Sequence, residues 1–255
     1  MSFRLKILKF KKLNPYLNMA IDEANLIFGD RDEIILRFFG WIPASVSIGT
    51  FQKIQEINIE YLKENNIPFV RRPTGGKGVY HEHELTYSII IPHKHTLFEL
   101  DTIESYKEIS KIFINSLKEF GINAELTKKS GNEKGFCFSS QNYYEVSVNG
   151  KKLIGSAQRR KKEGILQQGS IPLEINYEKV KKIFYLDDTS SFISLKELNK
   201  NVEIEKLQEV LIKNFINYFS TPYEIKEHSK DEIKKCEDLL NNKYSLDSWN
   251  YKGIY

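Results

Sequence analysis

Three short segments of this chain hold the residue types best able to do chemistry. GFCFSS sets Cys137 between Phe136 and Phe138, and NGKKLIGSAQ carries Lys152 on the strand that follows. The thiolate is the nucleophilic form of cysteine, and a nearby ammonium favours it by lowering the thiol pKa. Taken alone, a cysteine flanked by two phenylalanines fits a buried small hydrophobe better than a nucleophile. Lys152 is the partner that would change that reading. Cys236, in DEIKKCEDLL, has no comparable surroundings and reads as structural.

RRPTGGKGVYHEHELTYS is the second feature. Gly75 and Gly76 allow a ligand to approach exposed backbone N–H groups, and Arg71 and Arg72 have the donor geometry to pair with phosphate or carboxylate. An ordinary strand connection with a solvated arginine pair reads equally well. The spacing is not that of a Walker loop. His81 and His83, interleaved with Glu82 and Glu84, suggest a metal site only weakly, because neither cysteine is near them in sequence to complete a ligand set. A role for His81 in hydrogen-bonding the glycine loop or lining a pocket fits better.

The segments that must position these residues alternate in type. NPYLNMAIDEANLIF spaces Leu17, Ala20, Ala24, Ile27 and Phe28 as an amphipathic helix, with Gly29 as its stop. IILRFF, ASVSIG, PFVRR and LTYSIII read as strands, EINIEYLKENN as a short helix, and residues 102–120 as a long one ending at Gly121. YYEVSV and KKLIGSAQRR form a hairpin about Asn149-Gly150, a dipeptide suited to a type I′ turn. ILQQGSIPLE is a further strand, after which residues 177–243 read as helical. The expected fold is α+β, a mixed and mostly antiparallel sheet covered by helices in a single domain over residues 1–255, with a helical C-terminal third.

Composition narrows the class of function. Of 255 residues, 40% are hydrophobic and 13% aromatic, enough for a core without disulfides or structural metal. Two cysteines in unlike settings argue for a reducing cytoplasm. The basic first residues lack the apolar region of a signal peptide, and no run is long enough to span a membrane. A net charge of +4 suits an acidic protein partner but falls short of a nucleic-acid signature.

Taken in order, NMAIDEA, LRFFGWIPASVSIG, RRPTGGKGVYHEHELTYS, the isolated CF, NGKKLIGSAQRR, ILQQGSI and the closing SWNY resemble the biotin/lipoate protein ligase superfamily over nearly the whole chain. Within it the chain is most similar to the octanoyltransferases that move octanoate from acyl carrier protein to the glycine-cleavage H protein. The resemblance implies a ping-pong acyl transfer through a thioester on Cys137, with Lys152 lowering the thiol pKa and polarising the acyl carbonyl. It implies an acyl tunnel walled by Gly75, Gly76, His81, Gly155 and Ala157, with Arg71, Arg72, Lys77, Ser156 and Gln158 completing the substrate-binding set. No metal or cofactor is implied, the partners are octanoyl-acyl carrier protein and a lipoyl-carrier protein, and a monomer is the default. One departure is Gln168, where the family often has histidine; its amide can both donate and accept.

Three other functions compete. An ATP-dependent lipoate–protein ligase usually has a third glycine where this chain has Lys77, and often a C-terminal accessory domain. An octanoyl-H-protein amidotransferase also uses a cysteine, but its loop looks less like RRPTGG. A non-catalytic binder of lipoyl domains needs no reactive thiol.

Overall fold

The computed structural model describes residues 3–127, 145–199 and 201–254. The chain begins with strand β1 (Arg4–Leu13), helix α1 (Pro15–Phe28) and strands β2 (Glu33–Trp41) and β3 (Ser45–Ile48). Helix α2 (Ile59–Glu64) leads to the short strands β4 (Phe69–Arg71) and β5 (Val79–His81) and the long β6 (His83–Pro92). Then come α3 (Thr96–Glu99), α4 (Thr102–Lys118), β7 (Glu125–Leu126), β8 (Val146–Val148), β9 (Lys151–Lys161) and β10 (Gly164–Glu174). The last part holds α5 (Tyr177–Phe184), α6 (Leu195–Leu198), α7 (Ile204–Phe219), β11 (Tyr223–Lys226), α8 (Lys230–Leu239), a π-helical turn (Leu240–Tyr244) and α9 (Asp247–Lys252).

An eight-stranded sheet runs in the order β11-β1-β2-β6-β10-β9-β8-β7, and a second sheet runs β4-β3-β5. In the large sheet β1 pairs in parallel with β11 and β2, and the remaining pairs are antiparallel. The mixed, mostly antiparallel architecture is therefore as the sequence implies. Two strands depart from it. β1 lies in the basic first residues, to which the sequence reading assigns no element, and β11 interrupts the expected helical stretch. Both are held by long-range pairing, Leu5 opposite Tyr223 and Ile7 opposite Ile225, and neither has a local pattern strong enough to announce a strand.

Side-chain alternation on β2 sorts the core onto two faces. Ile34, Leu36 and Phe38 join Tyr87, Phe113 and Phe215 under α4 and α7. Phe39 and Trp41 join Met19, Ala20 and Ala24 of α1 and Tyr244 and Trp249 from the C-terminus. Burial on both sides explains why this strand reads as a continuous apolar run. Arg37 is the exception, and it is answered from α1: its Nη1 donates to Asp22 Oδ1 at 2.8 Å. Helix α1 itself starts where Asn14 Oδ1 accepts from the Leu17 N–H, with Pro15 at the first turn.

Glu23, on the same helix, accepts from Lys243 Nζ and Tyr244 Oη, each at 2.6 Å, and so ties α1 to the C-terminal turn. Burial alone would raise its pKa, but the Lys243 ammonium and the two hydrogen bonds hold it below the ordinary carboxyl value. A lowered native pKa contributes stability above the ordinary carboxyl range, and that stability is lost as pH falls through the native value. Glu23→Gln should therefore cost about 3 kcal/mol at neutral pH, read from urea unfolding, because it leaves Lys243 buried without its counter-charge. The gap between parent and variant should close on acidification; a gap independent of pH would contradict this account.

Candidate active site

The glycine loop is shaped by the second of its two arginines. Arg72 Nη2 donates to the carbonyls of Gly75 and Lys77 at 2.5 and 2.8 Å, while its Nη1 reaches Ser47 Oγ at 3.2 Å. Gly76 adopts φ +85°, a left-handed conformation in which a side chain would be strained. Arg71 turns the other way. Its Nη1 donates to the carbonyls of Gly49, Thr50 and Gln52, and its Nε to that of Trp249 at 3.0 Å. Trp249 Nε1 returns a bond to the Arg71 carbonyl at 2.8 Å. The Arg71 guanidinium is thus a clamp between the segment that follows β3 and the C-terminal helix, where the sequence leaves an anion ligand and a solvated arginine equally open. Arg71→Lys, which cannot reproduce the planar fork, should lower stability by about 2 kcal/mol in denaturant unfolding. If it raised KM for the acyl donor and left stability alone, Arg71 would be a substrate contact.

Beside the loop is a narrow cavity whose lining includes Arg72, His81, Gly155, Ser156 and Ala157 among the expected residues. Trp41, Ser47, Thr86, Gln168, Ser170 and Met19 also line it, brought there from five other elements. Gly155, Ser156 and Ala157 come from β9, opposite Ser170, Gly169 and Gln168 of β10. Gly169 has no room for a side chain: a Cβ there would lie 2.2 Å from the Tyr87 ring. The open volume is about 30 Å³, so a medium-length acyl chain requires flexible lining, Met19 above all, to move aside.

The polar groups around this cavity are held in place by one another. His81 stacks on Trp41, ring centroids 3.9 Å apart and planes 11° from parallel. Trp41 Nε1 donates to Thr86 Oγ1 at 2.7 Å. Gln168 uses both ends of its amide, accepting from Thr74 Oγ1 at 2.8 Å and donating to Asp22 Oδ2 at 2.6 Å. Ser156 Oγ lies 2.7 Å from the Tyr87 hydroxyl, whose pKa burial pushes up to about 12 against the pull of Ser156 and Gln167. Gln158 donates to Gln167 at 2.9 Å, and Lys77 is paired at 2.6 Å with Glu56, on the rim of the loop. Gly75 has open space where a Cβ would stand. His83 is exposed, and both ring nitrogens of His81 are engaged by protein groups, so the two histidines do not act as a pair.

Cys137 lies outside the described residues. Lys152 is fully buried on β9, its Nζ donating to Glu145 Oε1 at 2.5 Å. The turn at Asn149 and Gly150 takes φ of 51° and 73°, as a type I′ hairpin requires. It pairs Ser147 with Lys152 and leaves Lys151 exposed. Residues 191–193 cover the other edge, with Lys152 N–H donating to the Ser191 carbonyl and Ile193 N–H to that of Lys152.

Residues 14–216 match the model of the lipoyl protein ligase A/B catalytic domain. The chain belongs to that family. An octanoyltransferase LipM of Bacillus subtilis is 35% identical over 266 residues, covering 94% of this chain and 95% of its own. A LipM octanoyltransferase of Geobacillus kaustophilus is 36% identical over 265 residues, covering 93% and 94%. Among solved structures, a lipoate-protein ligase A bound with ATP superposes with a TM-score of 0.84 at 24% identity, covering both chains fully. A bipartite lipoate protein ligase from Thermoplasma acidophilum gives 0.82 at 23%, covering 100% of this chain and 98% of that one. At these identities the structural likeness speaks for the family fold.

Proposed function

We infer that this chain is an octanoyltransferase of protein lipoylation, and that it moves the acyl group from octanoyl-acyl carrier protein to a lysine of a lipoyl-carrier protein such as the glycine-cleavage H protein. The observation that carries this reading is likeness along almost the full length to octanoyltransferases of the LipM type. The cavity supports it. Part of its wall is glycine, alanine and serine on the neighbouring strands β9 and β10, with Met19 also in the lining, and that part leaves room for an unbranched chain once Met19 shifts.

In this mechanism the Cys137 thiolate attacks the donor thioester, releasing the carrier thiol, and the acceptor lysine then takes the acyl group from Cys137. Lys152 holds positive charge in a dry setting beside Glu145, and that charge favours thiolate. Because a thioester donor is already activated, no nucleotide is needed. In this reading the protein acts as a monomer in the cytoplasm, between its acyl-donor and acceptor proteins. Among the described residues no helix is long and apolar enough to cross a membrane. The test is acceptor modification: glycine-cleavage H protein should gain an octanoyl group on its lipoyl lysine from octanoyl-acyl carrier protein without ATP. Modification that appears only with free octanoate or lipoate plus ATP would make the chain a ligase instead.

A further inference from the structure

Within the cavity wall a serine, a histidine and a glutamate form a continuous buried chain. Ser47 Oγ lies 2.8 Å from His81 Nε2, and His81 Nδ1 lies 2.7 Å from Glu84 Oε1. The Glu84 carboxylate also accepts from Thr86 Oγ1 and Ser170 Oγ, so three donors from three strands converge on it. A carboxylate at Nδ1 keeps the proton there and leaves Nε2 bare to accept the Ser47 hydroxyl. The stack on Trp41 fixes the ring plane. Ser47 and His81 both line the cavity, and His81 is the one imidazole among its described lining residues.

Binding an acyl chain requires none of this, but the second half of the transfer does require a base. The acceptor lysine arrives as an ammonium, and its nitrogen has no lone pair until a proton leaves. Lys152 is poorly suited to take that proton, since its own ammonium is buried against Glu145 at 2.5 Å. The geometry points to Ser47, His81 and Glu84 as the proton acceptor for the aminolysis half-reaction, with Ser47 Oγ meeting the incoming lysine. This rests on the octanoyltransferase reading and names the groups that serve its second step.

The lysine ammonium gives one proton to Ser47 Oγ as the Ser47 proton passes to His81 Nε2. The freed lone pair attacks the thioester carbon, a C–N bond forms, and the C–S bond breaks with its electrons left on sulfur as thiolate. The second N–H proton leaves to water, and His81 later returns its proton to solvent. The imidazolium formed meanwhile faces Glu84, which offsets its charge, while Arg72, 3.2 Å from Ser47 Oγ, opposes it. That opposition favours rapid return of the proton.

The test separates the half-reactions of the full-length protein. Parent and His81→Gln are loaded with octanoyl-acyl carrier protein, and each acyl-enzyme is then chased with H protein or with hydroxylamine, a nucleophile already neutral at pH 7. Loss of the His81 ring from the cavity wall should lower loading and hydroxylamine release by one common factor, and transfer to H protein should fall by about 100-fold beyond that factor. Glu84→Gln, which changes charge at nearly constant volume, should show the same split with a loss of about tenfold. If His81→Gln does not fold, Glu84→Gln carries the comparison alone. Equal losses toward lysine and hydroxylamine would mean a merely structural role, and undiminished lysine transfer would mean no role; either overturns the proposal. A parent that never loads removes the thioester reading and the relay with it, whereas a parent that loads and variants that transfer normally remove the relay alone.

Discussion

Replacing Cys137 by serine should lower octanoyl transfer by at least about 1,000-fold, whereas replacing Cys236 by serine should leave it within about twofold of the parent. Serine at 137 would lack the thiolate, and the motif GFCFSS holds no histidine or carboxylate to activate a hydroxyl. Cys236 is buried at 2% exposure on α8. Burial pushes its thiol up to about 11, against the pull of Arg37, so at pH 7 roughly one molecule in 10,000 would carry the thiolate there. Its loss is a matter of packing. Steady-state transfer by both variants decides the point: a dead Cys236→Ser beside an active Cys137→Ser would put the nucleophile on the wrong cysteine.

The second large effect is expected at Lys152. Removing its ammonium in Lys152→Met should slow transfer by about 100-fold and raise the pH at which Cys137 is alkylated by iodoacetamide. Lys151→Met should do neither, because Lys151 is exposed on the opposite side of the strand. The pairing with Glu145 adds a condition. Lys152→Met removes the ammonium 2.5 Å from the buried Glu145 carboxylate, at a cost of about 3 kcal/mol in stability. The double variant Lys152→Met/Glu145→Gln removes the carboxylate charge as well, so it should regain much of the stability and none of the reactivity. Recovery of transfer in the double variant would show that Lys152 acts only by neutralising Glu145. An unchanged alkylation profile in Lys152→Met would remove it from thiol activation.

Legibility in the sequence followed the range of the forces involved. Helix α1 could be read from Asn14, Pro15 and the apolar spacing up to Gly29, because capping and amphipathicity are local. The β8–β9 hairpin could be read from Asn149-Gly150, which selects its own turn. β1 and β11 could not: β11 pairs with β1, more than 200 residues away, and β1 lies in parallel between β11 and β2, partners that no local pattern reveals. The site divides in the same manner. The glycine loop and the Gly155–Ala157 stretch stand out by composition. Trp41, Ser47, Glu84 and Thr86 become a network only once β2, β3, β5 and β6 bring them within hydrogen-bond reach. Arg71 shows the limit most clearly: its type fits an anion, and its role as a clamp is set by carbonyls of the C-terminal helix, far along the chain.

Gln168, the departure from the resemblance noted in the sequence, has a structural task of its own. Its amide bridges Thr74 of the glycine loop to Asp22 of α1, a task that needs one donor and one acceptor and no titrating group. The imidazole available to move a proton is His81, on another strand.

Octanoate is expected to pass through Cys137 as a covalent thioester. Intact-mass analysis of the protein after brief exposure to octanoyl-acyl carrier protein, with no ATP and no acceptor, tests it most directly. The predicted result is one octanoyl adduct per chain, released by hydroxylamine, mapped to the peptide containing Cys137 and lost in Cys137→Ser. Acceptor octanoylation proceeding at the parent rate with no adduct on the enzyme, or an adduct that persists in Cys137→Ser, would contradict it.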